Sequence, residues 1–382
     1  MKRVRTVRPV QVASDHSDLE RRLVRALQQA TLPNRLATVD GASLSAVYSP
    51  AASEVQVGGD WYDAFDLDDH RVLITVGDVT GHGLQASIIM GKLRHAINVI
   101  GTYESDPARI LDAAERILLR RYPNSIATCF CAILNTLDST IEYANAGHPY
   151  PLLRRSDGSL EELKADGLPI GLRSAGATGN TMRKRLDGMQ LLAFYTDGLI
   201  EAKRNIFAGE KLLRRALRTD AIFYVDNAAE FIERYCLRRP STDDVAILVL
   251  DFVQSRRWRF DSKDWQAARV VRHEFVSYIE SSAAPGSDVK AAELIFGELT
   301  ANVAKHAAGP LEIGLGWQAR QPVLHFIDRG KGYAADDPCA ADLLMEHGRG
   351  LWLVQRLGAQ LDVEILPGYG THVQAALPIR TD

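Results

Sequence analysis

No stretch of this sequence approaches the ~18 consecutive apolar residues that a membrane-spanning helix needs, and no apolar signal-peptide core follows Met1. An excess of one charge is also missing, since 45 basic against 48 acidic residues leave a net charge of −3. That excludes a global basic field able to recruit nucleic acid or anionic membrane. The terminus "MKRVRTVRPV" is basic only locally and reads as a solvated tail. Cysteine is scarce, four residues in 382, which excludes a disulfide scaffold. In "IATCFCAIL" Cys129 and Cys131 read as buried thiols facing opposite sides of one strand, with no further Cys or His nearby to complete a metal site. Internal repeats and low-complexity tracts are absent, so solenoid and array architectures are excluded. A cytoplasmic protein with no nucleic-acid and no membrane partner is expected.

What is present is globular: 46% apolar and 24% charged residues, in a chain too long for one ordinary core. Three units follow from the patterning. Residues 1–38 hold a tail and a helical pattern, "SDLERRLVRALQQATLP", whose Leu19, Leu23 and Leu27 form one apolar stripe closed by Pro33. Such a helix is marginal alone in water. It is expected to dock on the following domain or on a second copy, which would make a homodimer. Residues 39–253 mix runs of strands with grouped helices, the mark of an α+β layered sandwich rather than an alternating α/β sheet. A charged stretch, "VQSRRWRFDSK", then opens a separate α/β sandwich over 256–382, with helices expected at 264–281, 287–307 and 349–358.

In the middle unit four aspartates share one kind of address, the edge of an apolar strand or a glycine turn. They are Asp60 in "VGGDWYD", Asp78 in "VGDVTGHG", Asp197 in "YTDGLIE" and Asp243 in "STDDVAILVL". Each alone reads more readily as a turn or cap residue, because Asp-Gly is a common turn dipeptide. Brought together, carboxylates cannot all stay ionised without cations, and hard divalent ions with oxygen ligands answer that. Two such ions can clamp a phosphate and activate water.

The ordered set "VGGDWYDAF", "VGDVTGHGLQASIIMG", "YANAGHPYPLL", "LPIG", "FYTDGLIEA" and "DDVAILVL" resembles the bacterial PPM phosphatases of the SpoIIE and RsbU type, relatives of protein phosphatase 2C. The resemblance covers about residues 43–252. It implies a four-layer α-β-β-α sandwich and a Ser/Thr protein phosphatase with two Mn²⁺ or Mg²⁺ ions. By implication Asp78 bridges the ions, the Val79 carbonyl ligates one, Asp60 supports the second, and Asp197 and Asp243 hold the first. Asp244 is left without a role. Direct in-line hydrolysis of a phosphoserine, with no covalent intermediate, is implied. One departure stands out: animal members use an arginine before the first acidic motif to hold phosphate, and "SPAASEVQVGGD" offers none. His82 is weighed as a general acid against a turn-bracing role, and His148 in "NAGHPYP" as a loop-shaping residue near the cleft.

In the last unit, "ELIFGELTANVAKHA" places Glu298, Asn302 and His306 four residues apart, each step turning only about 40° around a helix, so they share a face. That stripe alone could be a wet helix face. "FIDRGKGY" adds Asp328 at a strand end before Gly330 and Gly332, and "HGRGLWLV" puts Gly348 and Gly350 at a helix start suited to phosphate. "GYGTHVQAAL" brings Thr371 into the closing strand.

This order resembles the two-layer GHKL (Bergerat) ATP-binding fold, specifically anti-sigma-factor Ser/Thr kinases of the RsbW and SpoIIAB type, over about 258–380. It implies ATP with Mg²⁺. Asn302 would ligate the Mg²⁺, Glu298 act as base for the acceptor hydroxyl, and Asp328 read the adenine amino group with help from Thr371. Gly330, Gly332, Gly348 and Gly350 would shape the pocket and lid, and His306 brace the helix. A histidine kinase is disfavoured: His273 in "VVRHEFVSYIE" lacks the H-E-x-x-x-P pattern.

Together the two resemblances imply a bifunctional regulator of partner switching. The phosphatase would act on a phosphorylated anti-sigma-factor antagonist of STAS type, and the second domain would phosphorylate that antagonist, bind a sigma factor, or both. The rival reading makes the second domain a non-catalytic ATP-dependent binding module.

Overall fold

Apolar runs bounded by glycine and aspartate become the central strands of two facing sheets. The structure, a computed structural model, describes residues 31–51, 58–172, 179–201, 205–237, 241, 243–253, 255–318, 321–330 and 349–379. The expected helix at 16–32 and the lid sequence 333–348 lie almost wholly outside the described residues.

One sheet has the order β1-β10-β9-β6-β7 and the other β2-β3-β4-β5-β8. Their members are β1 (Ser43–Ser49), β2 (Asp60–Asp66), β3 (Arg71–Val79), β4 (Ala127–Asn135), β5 (Thr140–Ala146), β6 (Leu152–Arg155), β7 (Leu160–Glu162), β8 (Met182–Arg185), β9 (Met189–Tyr195) and β10 (Val245–Asp251). Alternation along each strand sends one set of side chains between the sheets and the other under helices. Val72, Ile74 and Val76 of β3 join Phe130, Phe194 and Leu248 between the sheets. Leu73 and Cys131 instead meet helices α1 (Leu84–Gly101) and α2 (Pro107–Arg121). On the outer side of the first sheet lie α3 (Gly198–Glu201), α4 (Ile206–Ala216), a 3₁₀ turn (Asp220–Phe223) and α5 (Ala228–Cys236). The stacking is helix, sheet, sheet, helix, as the resemblance implied. Strand alternation corrects the reading of the thiols: Cys129 and Cys131, two residues apart, both lie on the helix-covered face.

Residues 256–379 form a second sheet-and-helix unit. Its sheet runs β11-β12-β13-β15-β14, wholly antiparallel, with β11 (Arg256–Asp261), β12 (Pro310–Gln318), β13 (Gln321–Asp328), β14 (Gln360–Leu366) and β15 (Gly370–Ala376). One face packs on α6 (Trp265–Ser282), α7 (Val289–His306) and α8 (Arg349–Arg356) through Phe275, Phe296, Phe326 and Val354. Asp264 and Asp288 cap α6 and α7 by accepting N–H bonds of their first turns. The charged stretch read as the opening of the new unit supplies an edge strand, β11, whose Phe260 enters this core.

The other face of that sheet is covered by the first domain. Tyr224 stacks on His325 with ring centroids 3.6 Å apart. The two glycines of "EIGLGW" make room for it: a Cβ on Gly314 would lie 2.3 Å from the Tyr224 ring, and one on Gly316 2.0 Å from its hydroxyl. Ile327, Leu366 and Tyr369 complete the core that holds Phe231 and Tyr235 of α5.

His325 is buried in this seam, its Nδ1 2.9 Å from Nε2 of His372. Burial, and then His372, push the His325 imidazole down to about 2. The native ring is therefore neutral, while the unfolded chain takes up a proton below about pH 6.5. Stability is complete above that value and falls as pH is lowered, by about 1.4 kcal/mol between pH 7.5 and 5.5 for one such histidine. His325→Gln should flatten the pH dependence of the urea midpoint by that amount; an unchanged slope would contradict the assignment.

Candidate functional site

The acidic residues of the first domain come from both sheets and converge at one end of the sandwich. Asp60 begins β2 and faces Asp78, the penultimate residue of β3, directly across the ladder. Asp197 follows β9 and starts α3, its carbonyl accepting from the N–H groups of Ile200 and Glu201, both at 2.9 Å. Asp243 and Asp244 precede β10, which pairs with β9. The Asp244 carboxylate accepts the Ala51 N–H at 3.0 Å, and Asp243 accepts the Asp244 N–H at 2.8 Å.

Two glycines set how closely these groups approach. A Cβ on Gly58 would lie 1.7 Å from an Asp244 carboxylate oxygen. On Gly59 it would lie 2.2 Å from the Val79 carbonyl oxygen and 2.8 Å from Asp78 Oδ1. The "VGGD" backbone thus lies against Asp244, Asp78 and the Val79 carbonyl at once, where no side chain fits. The following turn passes through Gly81 and Gly83 at φ 112° and 86°, a region closed to most side chains.

The electrostatics are those of crowded carboxylates. Burial, then the Asp78 charge, raises Asp60 well above the usual carboxylate range against the opposing hydrogen bond of Thr196. Burial, then Asp197, pushes Asp78 up to about 7, against an opposing hydrogen bond from Asp60. Burial also raises Asp197, with Glu201 next, and Asp244, against its bond from Ala51. Asp60 Oδ2 is buried with no hydrogen-bond partner. Buried oxygen donors that repel one another and leave one atom unpaired suit a hard divalent cation. Among the described residues no three Asp, Glu, His or Cys side chains close around a single point. The set is open, and a site of this kind fits ions that keep several waters.

A cleft of about 1000 Å³ runs from Asp197 past Tyr195, His148 and Tyr150 to Asp166 and Glu210. His148 is buried, its Nδ1 2.9 Å from Thr128 Oγ1, and Thr128 pairs with Asp78 across β3 and β4. Burial pushes this imidazole down to about 3, so at neutral pH it has no proton to give as an imidazolium. His82 is exposed and lines a separate hollow of about 440 Å³ beside Arg121 and Asn124.

In the second domain, Glu298 and Asn302 are half-buried on α7, and His306 at its end is exposed. Asn302 Nδ2 is buried without a hydrogen-bond partner. Asp328 ends β13, buried, opposite Thr371 of β15. Its carboxylate accepts the Gly330 N–H at 2.9 Å, and a Cβ on Gly330 would touch Ala307 just past α7. Burial raises the Asp328 carboxyl, and hydrogen bonds from Gly330 and Thr371 oppose the shift. Gly350 falls within α8, while Gly332 and Gly348 lie outside the described residues.

Residues 68–253 match the family Stage II sporulation protein E (SpoIIE), and residues 262–376 match the Histidine kinase-like ATPase domain. The chain joins a SpoIIE-family domain to a histidine-kinase-like ATPase domain. Phosphoserine phosphatase RsbP of Bacillus subtilis is 30% identical over 188 residues, covering 48% of this chain and 45% of RsbP. The SiaA-PP2C domain of Pseudomonas aeruginosa shares the fold at TM-score 0.50 and 21% identity, covering 64% of this chain and 99% of that one. A structure of the RsbU and RsbW domains of Rv1364c from Mycobacterium tuberculosis aligns over 89% of this chain and 95% of that one, at 24% identity and TM-score 0.49. The chain spans about half, or less, of the length of the curated relatives it matches. Among the described residues no helix is long and apolar enough to cross a membrane.

Within the SpoIIE-family domain the structure brings Asp60, Asp78, Asp197 and Asp243 to one end of the sandwich. Asp244, left without a role by the sequence, is the buried member of its pair, whereas Asp243 is exposed. The signal was present in "VQVGGD", where adjacent glycines leave space for a second carboxylate. In the ATPase domain Asp328 pairs with Thr371 across β13 and β15, and Gly330 lies against Ala307, just past the end of the helix that carries Glu298 and Asn302.

Proposed function

We propose that this chain is a Mn²⁺- or Mg²⁺-dependent phosphoserine and phosphothreonine phosphatase of the cytoplasm, acting on a phosphorylated anti-sigma-factor antagonist. Its ATPase domain would bind ATP with Mg²⁺ and phosphorylate the same class of antagonist. The phosphatase unit is assigned to 39–253 and the ATPase unit to 256–382. The observation that carries this reading is the acidic end of the sandwich, where burial and mutual repulsion raise Asp60, Asp78, Asp197 and Asp244 together. The name phosphoserine phosphatase, carried by RsbP and RsbU of Bacillus subtilis, supports the substrate class.

Asp78, the Val79 carbonyl, Asp60, Asp197 and Asp243 would hold two ions, and Asp244 belongs with them. When bound, the ions supply positive charge against phosphate and a water acidic enough to act at neutral pH. The protein's part is rigidity: β2 and β3 fix Asp60 and Asp78 across a ladder, and the Gly58–Gly59 backbone keeps the space over the Val79 carbonyl open. Neutral His148 holds Thr128, and thereby the strand beside Asp78. The cleft beyond Asp197 accommodates polypeptide on either side of the phosphorylated residue.

In the ATPase domain Asn302 would ligate Mg²⁺, and its unpaired Nδ2 supports a polar ligand there. Glu298 would take the proton of the acceptor hydroxyl. Asp328 would receive the adenine amino group with Thr371, and Gly330, Gly332, Gly348 and Gly350 would shape the pocket and lid. The test is phosphate release from a serine-phosphorylated antagonist by the full chain with Mn²⁺. Release that a chelator abolishes and added Mn²⁺ restores is expected; release indifferent to the chelator would overturn the reading.

A further inference from the structure

The strand that ends in Asp328 serves both domains. Phe326 packs under the helices of the ATPase domain, and Asp328 lies on that side beside Gly330 and Ala307. Ile327 and Arg329 point to the opposite face, into the seam with the SpoIIE-family domain. Arg329 is nearly buried there, its side chain 11% exposed. Its guanidinium donates to Glu312 at 3.0 Å and to Glu230 of α5 at 3.1 Å, and lies over the Tyr369 ring. Glu312, 1% exposed, also accepts from the Tyr369 hydroxyl at 2.7 Å and from the Asp226 N–H at 3.1 Å. A buried, forked guanidinium whose two terminal nitrogens are held by partners in two domains resists independent movement of either.

From α5 the connection continues to the acidic centre. Glu233, one turn beyond Glu230, accepts the hydroxyl of Ser49, the last residue of β1. The start of α5 is tied to the same strand: Asn227 donates to the Ala46 carbonyl at 3.3 Å, and the Ala229 N–H to Ser45 Oγ at 3.2 Å. Two residues past Ser49, the Ala51 N–H holds the Asp244 carboxylate at 3.0 Å. Asp328 and Asp244 are therefore joined by a route of hydrogen bonds and neighbouring backbone positions through Arg329, α5 and the end of β1.

We propose that ligand occupancy of the pocket at Asp328 is coupled through Arg329, α5 and β1 to the acidic centre, so that adenine nucleotide sets the phosphatase rate. The proposal rests on the phosphatase and nucleotide assignments above. A ligand that draws the end of β13 toward α7 moves Arg329 with it, because the two side chains occupy adjacent positions on one rigid strand end. Arg329 holds Glu230, and α5 holds the strand end that orients Asp244. By linkage, any such coupling is reciprocal for binding.

The experiment uses the full chain with ATP, ADP or no nucleotide at fixed Mn²⁺. Two readouts are taken: kcat/KM for a phosphoserine substrate, and backbone hydrogen exchange in 43–49 and 228–236. Nucleotide should change kcat/KM by about fivefold or more and alter exchange in both segments. Glu230→Ala leaves the Arg329–Glu312 pair in place and should bind nucleotide normally, yet lose both responses. Arg329→Lys, a point charge without the fork, should keep only part of them. A wild-type chain that binds nucleotide without either response overturns the proposal, as does one that binds no nucleotide. Full responses in Glu230→Ala overturn the route. Absence of hydrolysis under every condition would fail the phosphatase reading alone, because the exchange measurement decides the coupling without it.

Discussion

Asp78→Asn should abolish Mn²⁺-dependent phosphate release, by a factor of about 10³ or more, on the scale of losing a central electrostatic group. The amide keeps the shape of the side chain, so the β2–β3 ladder survives. It cannot supply the negative charge that Asp78 would lend to the proposed pair of cations. The metal-free variant should also be more stable than the wild type, because burial and Asp197 already push Asp78 up to about 7. A carboxyl with a raised folded pKa works against stability above its unfolded value, and replacing it removes that effect. The same shift predicts how metal binding depends on pH. A proton competes for Asp78 below about 7, so Mn²⁺ affinity should fall as pH drops through that value, by up to about tenfold per unit. Urea unfolding in chelator checks the first statement, and calorimetric Mn²⁺ titrations at two pH values check the second.

Glu298→Ala should end ATP-dependent phosphorylation of the antagonist while leaving nucleotide affinity within about twofold. Loss of a general base typically costs about 10²–10⁴-fold in rate, whereas the proposed nucleotide ligands Asn302, Asp328 and Thr371 would be untouched. Glu298 is half-buried one turn before Asn302 on α7, and in the proposed reading it would act at the phosphate end of the nucleotide. Phosphate transfer from labelled ATP to the antagonist, measured beside binding of a fluorescent nucleotide, separates the two effects. A wild-type chain that binds ATP and transfers nothing would assign the second domain to ATP-dependent binding alone.

The elements legible in the sequence are those whose pattern is local. "RVLITVGD" announces β3 because it is apolar on both faces, one against the other sheet and one against α1 and α2. Its single carboxylate is placed by the strand end. The Glu298–Asn302–His306 stripe is equally local, since a helix of regular pitch fixes it. Helix α4 was not legible: its buried residues are Gly209, Leu213 and Ala216, too small a set for an apolar stripe. Strand β8, "MRKR", is an exposed edge whose pairing with β5 and not its composition makes it a strand. The burial of Asp244 beside exposed Asp243 depends on Gly58, far away in sequence, and no local pattern announces it. The seam between domains was invisible for the same reason. Tyr224 needs Gly314 and Gly316, and Glu230 needs Arg329, and no spacing rule connects such pairs.

The most direct measurement of the central claim is a calorimetric titration of the metal-free full chain with Mn²⁺ at pH 8, paired with phosphate release from the same samples. Wild-type protein should take up two ions and gain hydrolysis of phosphoserine substrate as they bind. Asp78→Asn should lose the high-affinity uptake and the hydrolysis together. Two ions bound by Asp78→Asn with wild-type affinity, or hydrolysis by either protein without added metal, would contradict the account.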